Sequence, residues 1–180
     1  MWHKNCVAIG LSAGFLEPLE STSIYLIQTG ISRLLALFPD KGFNETEILE
    51  YNKIMSLEFE QVRDFLILHY VANERHGEPF WDSLRHMSIP DGLRRKIDLF
   101  KHRGRFFRYD GDLFSETSWV AVFLGQNILP SSYSPLVDGL PEKKIEQTLA
   151  SLKSEIIENI PRMPTHEEFL SRYCAAPDTH

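Results

Sequence analysis

The chain has 180 residues, a length that suits one domain and is short for two. Hydrophobic residues make up 43% and charged residues 24%, the balance of a globular protein rather than of a disordered, collagenous or coiled-coil chain. A net charge of -6 gives no broad basic face for a phosphate backbone, so no nucleic-acid partner is expected.

A short strand is expected over about Asn5 to Ile9, where Cys6, Ala8 and Gly10 alternate with Val7 and Ile9. The rest of the chain offers almost no partner for it, so its sheet is expected to lie in residues upstream. After a loop through Gly14 and Pro18, a helix is predicted over about Thr22 to Phe38, with Ile24, Ile27, Ile31, Leu34 and Phe38 as one buried stripe. Pro39 and Gly42 end it. Asn44 then reads as an N-cap with Glu47 as capping-box partner, and Phe43 with Ile48 as a hydrophobic staple. The stripe Ile48, Tyr51, Met55, Phe59, Val62, Leu66 and Tyr70 predicts one long helix over 45–74, enclosed on several sides near Phe65 to Leu68. Shorter helices follow at Pro79 to Met87 and Pro90 to His102, then extended chain over Arg103 to Asp110 and a helix over Leu113 to Gly125. Pro141 opens another helix, striped by Ile145, Leu149, Leu152, Ile156 and Ile160 and stopped by Pro161, and a last one runs from Thr165 to Tyr173. The expected class is therefore mainly α, with a short N-terminal strand from a truncated sheet.

Two cysteines, Cys6 and Cys174, cannot make a disulfide framework or a four-thiolate metal site. No apolar run spans a bilayer, and Met1 to Cys6 lacks a signal-peptide pattern, so no membrane partner and a reducing cytoplasm are expected. No two of the ten glycines are separated by a single residue, which excludes a Rossmann fingerprint, and no P-loop is present. His69 and His76 lack an H-E-x-x-H context and read as ordinary helix histidines, so no metal is expected. Arg103, Arg105 and Arg108, alternating with Phe106 and Phe107, read as an extended segment with outward arginines. Phe80 and Trp81 read as packing residues or as the lining of a substrate pocket.

The sharpest local feature is Glu17-Pro18-Leu19-Glu20-Ser21-Thr22-Ser23, two carboxylates and three hydroxyls where a helix begins. The first amides of a helix lack internal partners and carry partial positive charge. Those of Thr22 and Ser23 can hold a small anion, while the plainer reading has Ser21 or Thr22 capping the helix and Glu20 answering its dipole.

The stretch Asn5 to Ile24, with Phe80-Trp81, Arg108-Tyr109-Asp110, Leu113 to Trp119 and Gly125 to Pro130, resembles the flavin-dependent tryptophan halogenases over most of the chain. The resemblance implies the helical C-terminal region of an α/β flavoprotein. It divides the chain into residues 1–38, an edge of the flavin domain, and residues 39–180, a substrate-side region. It implies FAD, reduced by a separate flavin reductase, and chloride or bromide, which oxygen chemistry turns into hypohalous acid. That oxidant reaches a lysine through a tunnel, and a small electron-rich arene is then halogenated. By the same resemblance Glu20 is catalytic, facing the lysine and stabilising or deprotonating the ring cation. Thr22 and Ser23 hold halide, Leu11, Gly14 and Ile24 lie against the flavin, and Trp119 and Phe107 meet substrate. A homodimer is compatible with it. The glycine motif, the tryptophan-x-tryptophan-x-isoleucine-proline signature and the lysine of the family all precede the matching segment, and Lys4, Lys41 and Lys53 do not stand in the lysine's place. The chain is thus expected to be inactive alone, as part of an active enzyme or as a truncated helical binding module. Phe107 and Arg108 stand near where tryptophan-using members carry paired tyrosines, which opens the substrate to other indoles and to phenols.

Overall fold

The computed structural model describes residues 1–109 and 112–175; Asp110, within one of the matching motifs, lies outside them. The N-terminal strand is corrected by what is observed. It is reduced to β2 (Cys6–Val7), and its partner is β1 (Trp2–His3), in an antiparallel hairpin with Trp2 opposite Val7 and His3 opposite Cys6. The turn between them uses Lys4 at φ 54, a left-handed residue that an alternation pattern does not reveal. The hairpin is pinned from outside the sheet. Asn52 accepts from the Trp2 amide at 2.7 Å and donates to the Trp2 carbonyl at 2.8 Å, so one side chain satisfies both backbone groups.

Seven α-helices carry the remaining described fold: α1 (Ser23–Ala36), α2 (Glu45–Val71), α3 (Pro79–Arg85), α4 (Asp91–Arg103), α5 (Glu116–Gly125), α6 (Glu142–Asn159) and α7 (His166–Tyr173). The Arg103 to Tyr109 segment leaves α4 through Gly104, at φ 64, and forms no paired strand. Asn44 does cap α2, but its side chain accepts from the Thr46 amide, so the box with Glu47 is not formed. Ser115 caps α5 by accepting from the Ser118 amide at 3.1 Å, which moves that helix start past Leu113.

The expected buried stripe of α1 is also corrected. Ile24, Ile31 and Phe38 are exposed, and the buried positions are Leu26 and Gly30. α1 carries apolar residues on more than one line along its length, Ile24 and Ile31 on one and Leu26 with Gly30 on another, so spacing alone does not choose its inner face. Close packing chooses it: a Cβ on Gly30 would lie 3.4 Å from Ile9, 3.5 Å from the Tyr51 hydroxyl and 3.6 Å from Met55. α2 behaves as expected, with Phe65, Leu66 and Leu68 all buried. Phe65 and Leu68 join Leu93, Ile97 and Phe100 of α4 and Trp119 and Phe123 of α5 in the main core.

By internal packing the chain divides into Met1–Tyr133 and Ser134–His180, and residue 38 falls inside the first unit. Within the second unit the stripe Leu149, Leu152, Ile156 and Ile160 is exposed. At the start of α7, Thr165 and Glu168 form a reciprocal capping box, and the Thr165 amide holds the Glu168 carboxyl below the usual carboxylate range.

Glu58 is a buried carboxylate of α2. Its Oε1 is 3.6 Å from half-exposed Arg33, and its Oε2 is buried without a partner. Burial pushes the carboxyl above its ordinary range, against the opposing pull of Arg33. A carboxyl raised in the folded state binds more protons folded than unfolded. Its contribution is therefore favourable in acid and is lost as pH rises through the raised value. Glu58→Gln is expected to melt above the parent at neutral pH, with the gap closing toward pH 4, as thermal denaturation across a pH series will show.

Candidate active site

The site begins at a tight double bend. Pro18–Glu20 form one 3-10 turn, the Ser21 amide donates to the Pro18 carbonyl at 3.0 Å, and Ser21 itself is left-handed at φ 53. That bend redirects the chain into α1, with buried Thr22 as its N-cap residue. No side chain caps the helix, so the capping alternative for Ser21 or Thr22 is not what is observed. The first turn of α1 also carries no acidic residue. An uncapped, uncountered helix start retains the partial positive charge that favours an anion.

The other side of the site is the last turns of α2. His69 Nε2 lies 3.0 Å from Glu20 Oε1, and its Nδ1 lies 2.8 Å from the Phe65 carbonyl one turn back. One position on, the Tyr70 hydroxyl donates to Glu17 Oε2, and Glu17 Oε1 is buried without a partner. The hydrogen bond to Glu17 is the main cause that raises Tyr70 above its ordinary value. Both carboxylates of the Glu17 to Glu20 turn are thus tied to consecutive residues of α2. Nothing in the local pattern joins residues so far apart in sequence; the legible signal was only that His69 and Tyr70 follow the most enclosed stretch of the helix.

Beside this pair opens a cavity of about 360 Å³, lined by His69, Tyr70, Asn73, Arg75, Trp81 and Gln126 among others. Its lining sets two aromatic side chains, Tyr70 and Trp81, among polar and charged ones, Asn73, Glu74, Arg75 and Gln126. Trp81 stacks on Tyr70 with ring centres 6.1 Å apart, and the Arg75 guanidinium lies 5.0 Å from the Trp81 ring centre. Trp81 is therefore a wall residue as well as a packing residue. Among the described residues, no group of three or more His, Cys, Asp or Glu side chains could hold a metal ion. No described helix is long and apolar enough to cross a membrane.

Trp119 does not line that cavity. It is fully buried, stacked on Phe106 at 5.3 Å and edge-on to Phe65 at 4.7 Å. Phe65 in turn meets the His69 ring edge-on at 4.9 Å, so Trp119 backs the site through one intervening ring. The Lys96 ammonium sits 4.3 Å from the Trp119 ring centre and 3.1 Å from both oxygens of buried Asp112. Phe107 is half exposed on the segment that Arg108 ties down by donating to the Asp112 carbonyl at 2.7 Å.

Of the residues expected against a flavin, two are exposed apolar side chains. Leu11 is 67% and Ile24 70% exposed, both apolar, beside the open start of α1. Leu11, Gly14 and Ser23 share one small cleft. Gly14 has a packing reason as well, since a Cβ there would stand 3.0 Å from the Phe59 ring. The pyrophosphate end of such a cofactor finds no glycine cradle in these residues.

A family model described as tryptophan halogenase matches residues 1–142. Two solved flavin-dependent halogenases are similar throughout. BrvH from Brevundimonas sp. BAL3 is 47% identical over 95% of this chain and 35% of its own, with a TM-score of 0.90. Xcc4156 from Xanthomonas campestris is 45% identical over 99% of this chain and 36% of its own, with a TM-score of 0.92. Tryptophan 7-halogenase RebH from Lentzea aerocolonigenes is 27% identical over 94% of this chain. The chain spans about 35% of the length of that relative.

Proposed function

The chain belongs to the tryptophan halogenase family, and from that premise we propose that it carries the halide-holding and proton-accepting part of a flavin-dependent halogenase site. The observation that supports this most is the turn from Glu17 to Ser23, where a fixed carboxylate precedes an uncapped helix start. In this reading residues 1–38 are the flavin side and residues 39–180 the substrate side. The amides of Thr22 and Ser23 hold chloride or bromide, a role that needs N–H groups rather than particular side chains. Leu11, Gly14 and Ile24 present backbone and apolar surface to the flavin ring. Reduced FAD, supplied by a separate reductase, provides with oxygen the oxidising equivalents for halide.

Glu20 then does two things at the arene. Its negative charge stabilises the ring cation formed on halogen addition, and its free oxygen takes the proton that restores aromaticity. Tyr70, Trp81 and Arg75 wall the cavity that takes the small aromatic substrate, an indole or a phenol. The protein works in the cytoplasm in this reading.

The test is product formation after residues 1–180 are joined behind the first two thirds of the Brevundimonas relative. With reduced FAD, oxygen and bromide, the fusion is expected to brominate indole. Residues 1–180 alone are expected to give no product and to leave FAD fluorescence unchanged on titration. A fusion that folds, binds FAD and yields no product, while the relative itself is active, would leave a helical interaction module as the better reading.

A further inference from the structure

His69 has acceptors on both sides of its ring. The Phe65 carbonyl at 2.8 Å can only accept, so Nδ1 carries a hydrogen. Nε2 meets Glu20 Oε1 at 3.0 Å, and an ionised carboxylate can only accept as well. The pair therefore holds one proton more than a neutral imidazole beside a carboxylate. The other polar groups of this cavity and turn have partners of their own. Tyr70 and Glu17 engage each other, Glu74 accepts from Asn127 at 2.7 Å, and Arg75 lies over Trp81.

We infer that His69 is the positioning residue for Glu20, an imidazolium that pins Oε1 and leaves Oε2 as the proton-accepting oxygen. This rests on the assignment of Glu20 as the proton acceptor. The ring cannot turn to release Oε1 without also giving up the Phe65 carbonyl, and Phe65 packs edge-on at 4.9 Å against one side of it. A carboxylate held this way presents one oxygen in one orientation, which is what transfer of a proton from a fixed ring carbon needs.

The test is nitrogen-15 NMR of the His69 ring in the full chain. At pH 7.5 both ring nitrogens of the parent are expected to carry hydrogen. In Glu20→Gln the side-chain amide can donate to Nε2, so the ring is expected to lose that hydrogen and keep only the one on Nδ1. Should Glu20→Gln fold poorly, the parent spectrum alone decides. A neutral parent ring, or the same protonation in parent and variant, overturns the inference. The readout involves no halogenation, so it can fail while Glu20 remains the proton acceptor, and it can succeed if the activity of Glu20→Gln shows otherwise.

Discussion

Glu20→Gln in the fusion enzyme is expected to lower formation of halogenated arene on the order of 100-fold. The amide keeps the size of the side chain but removes both the charge that steadies the ring cation and the oxygen that takes its proton. Oxygen consumption by the reduced flavin is expected to continue at the parental rate, because neither role of Glu20 precedes arene attack. Product and oxygen followed in the same reaction separate these steps. Equal product rates for parent and variant would remove Glu20 from the chemistry, and a parallel fall in oxygen consumption would point to a structural defect instead.

Trp119→Ala is expected to destabilise the first unit by about 3–5 kcal/mol, the usual cost of removing a large buried aromatic side chain. That is a large share of the stability of an ordinary domain. The cavity would open between Phe65, Phe106 and Phe123, and Lys96 would lose the ring beneath its ammonium. Trp119→Phe retains a ring and is expected to lose less. Urea denaturation followed by helix signal measures both. The order matters for function, because Trp119 meets Phe65, Phe65 meets His69 and His69 meets Glu20. A Trp119→Ala chain with parental stability would return this residue to the role of a direct substrate contact.

The helices are largely legible in the sequence, because their information is local. Asn44 and Pro141 mark helix starts by their own backbone chemistry, and the apolar run at Phe65 to Leu68 announces an enclosed segment. The inner face of α1 was not legible, since the choice between Ile24 and Leu26 depends on how closely Gly30 lets α2 approach. The hairpin is not legible there, because Asn52, far along the chain, supplies the bonds that hold Trp2. The candidate site shows the same division. Glu20, Thr22 and Ser23 stand in one contiguous motif and could be picked out from it. His69, Tyr70 and Trp81 come from other elements, and only the fold brings His69 to Glu20 and Tyr70 to Glu17.

The most direct test of the central assignment is where halide sits. Crystals of the fusion enzyme grown in bromide allow the anion to be located by its anomalous scattering. A bromide peak is predicted within hydrogen-bond reach of the Thr22 and Ser23 amides, at the uncapped start of α1. A map with ordered bromide elsewhere in the site and none at these two amides would contradict the account.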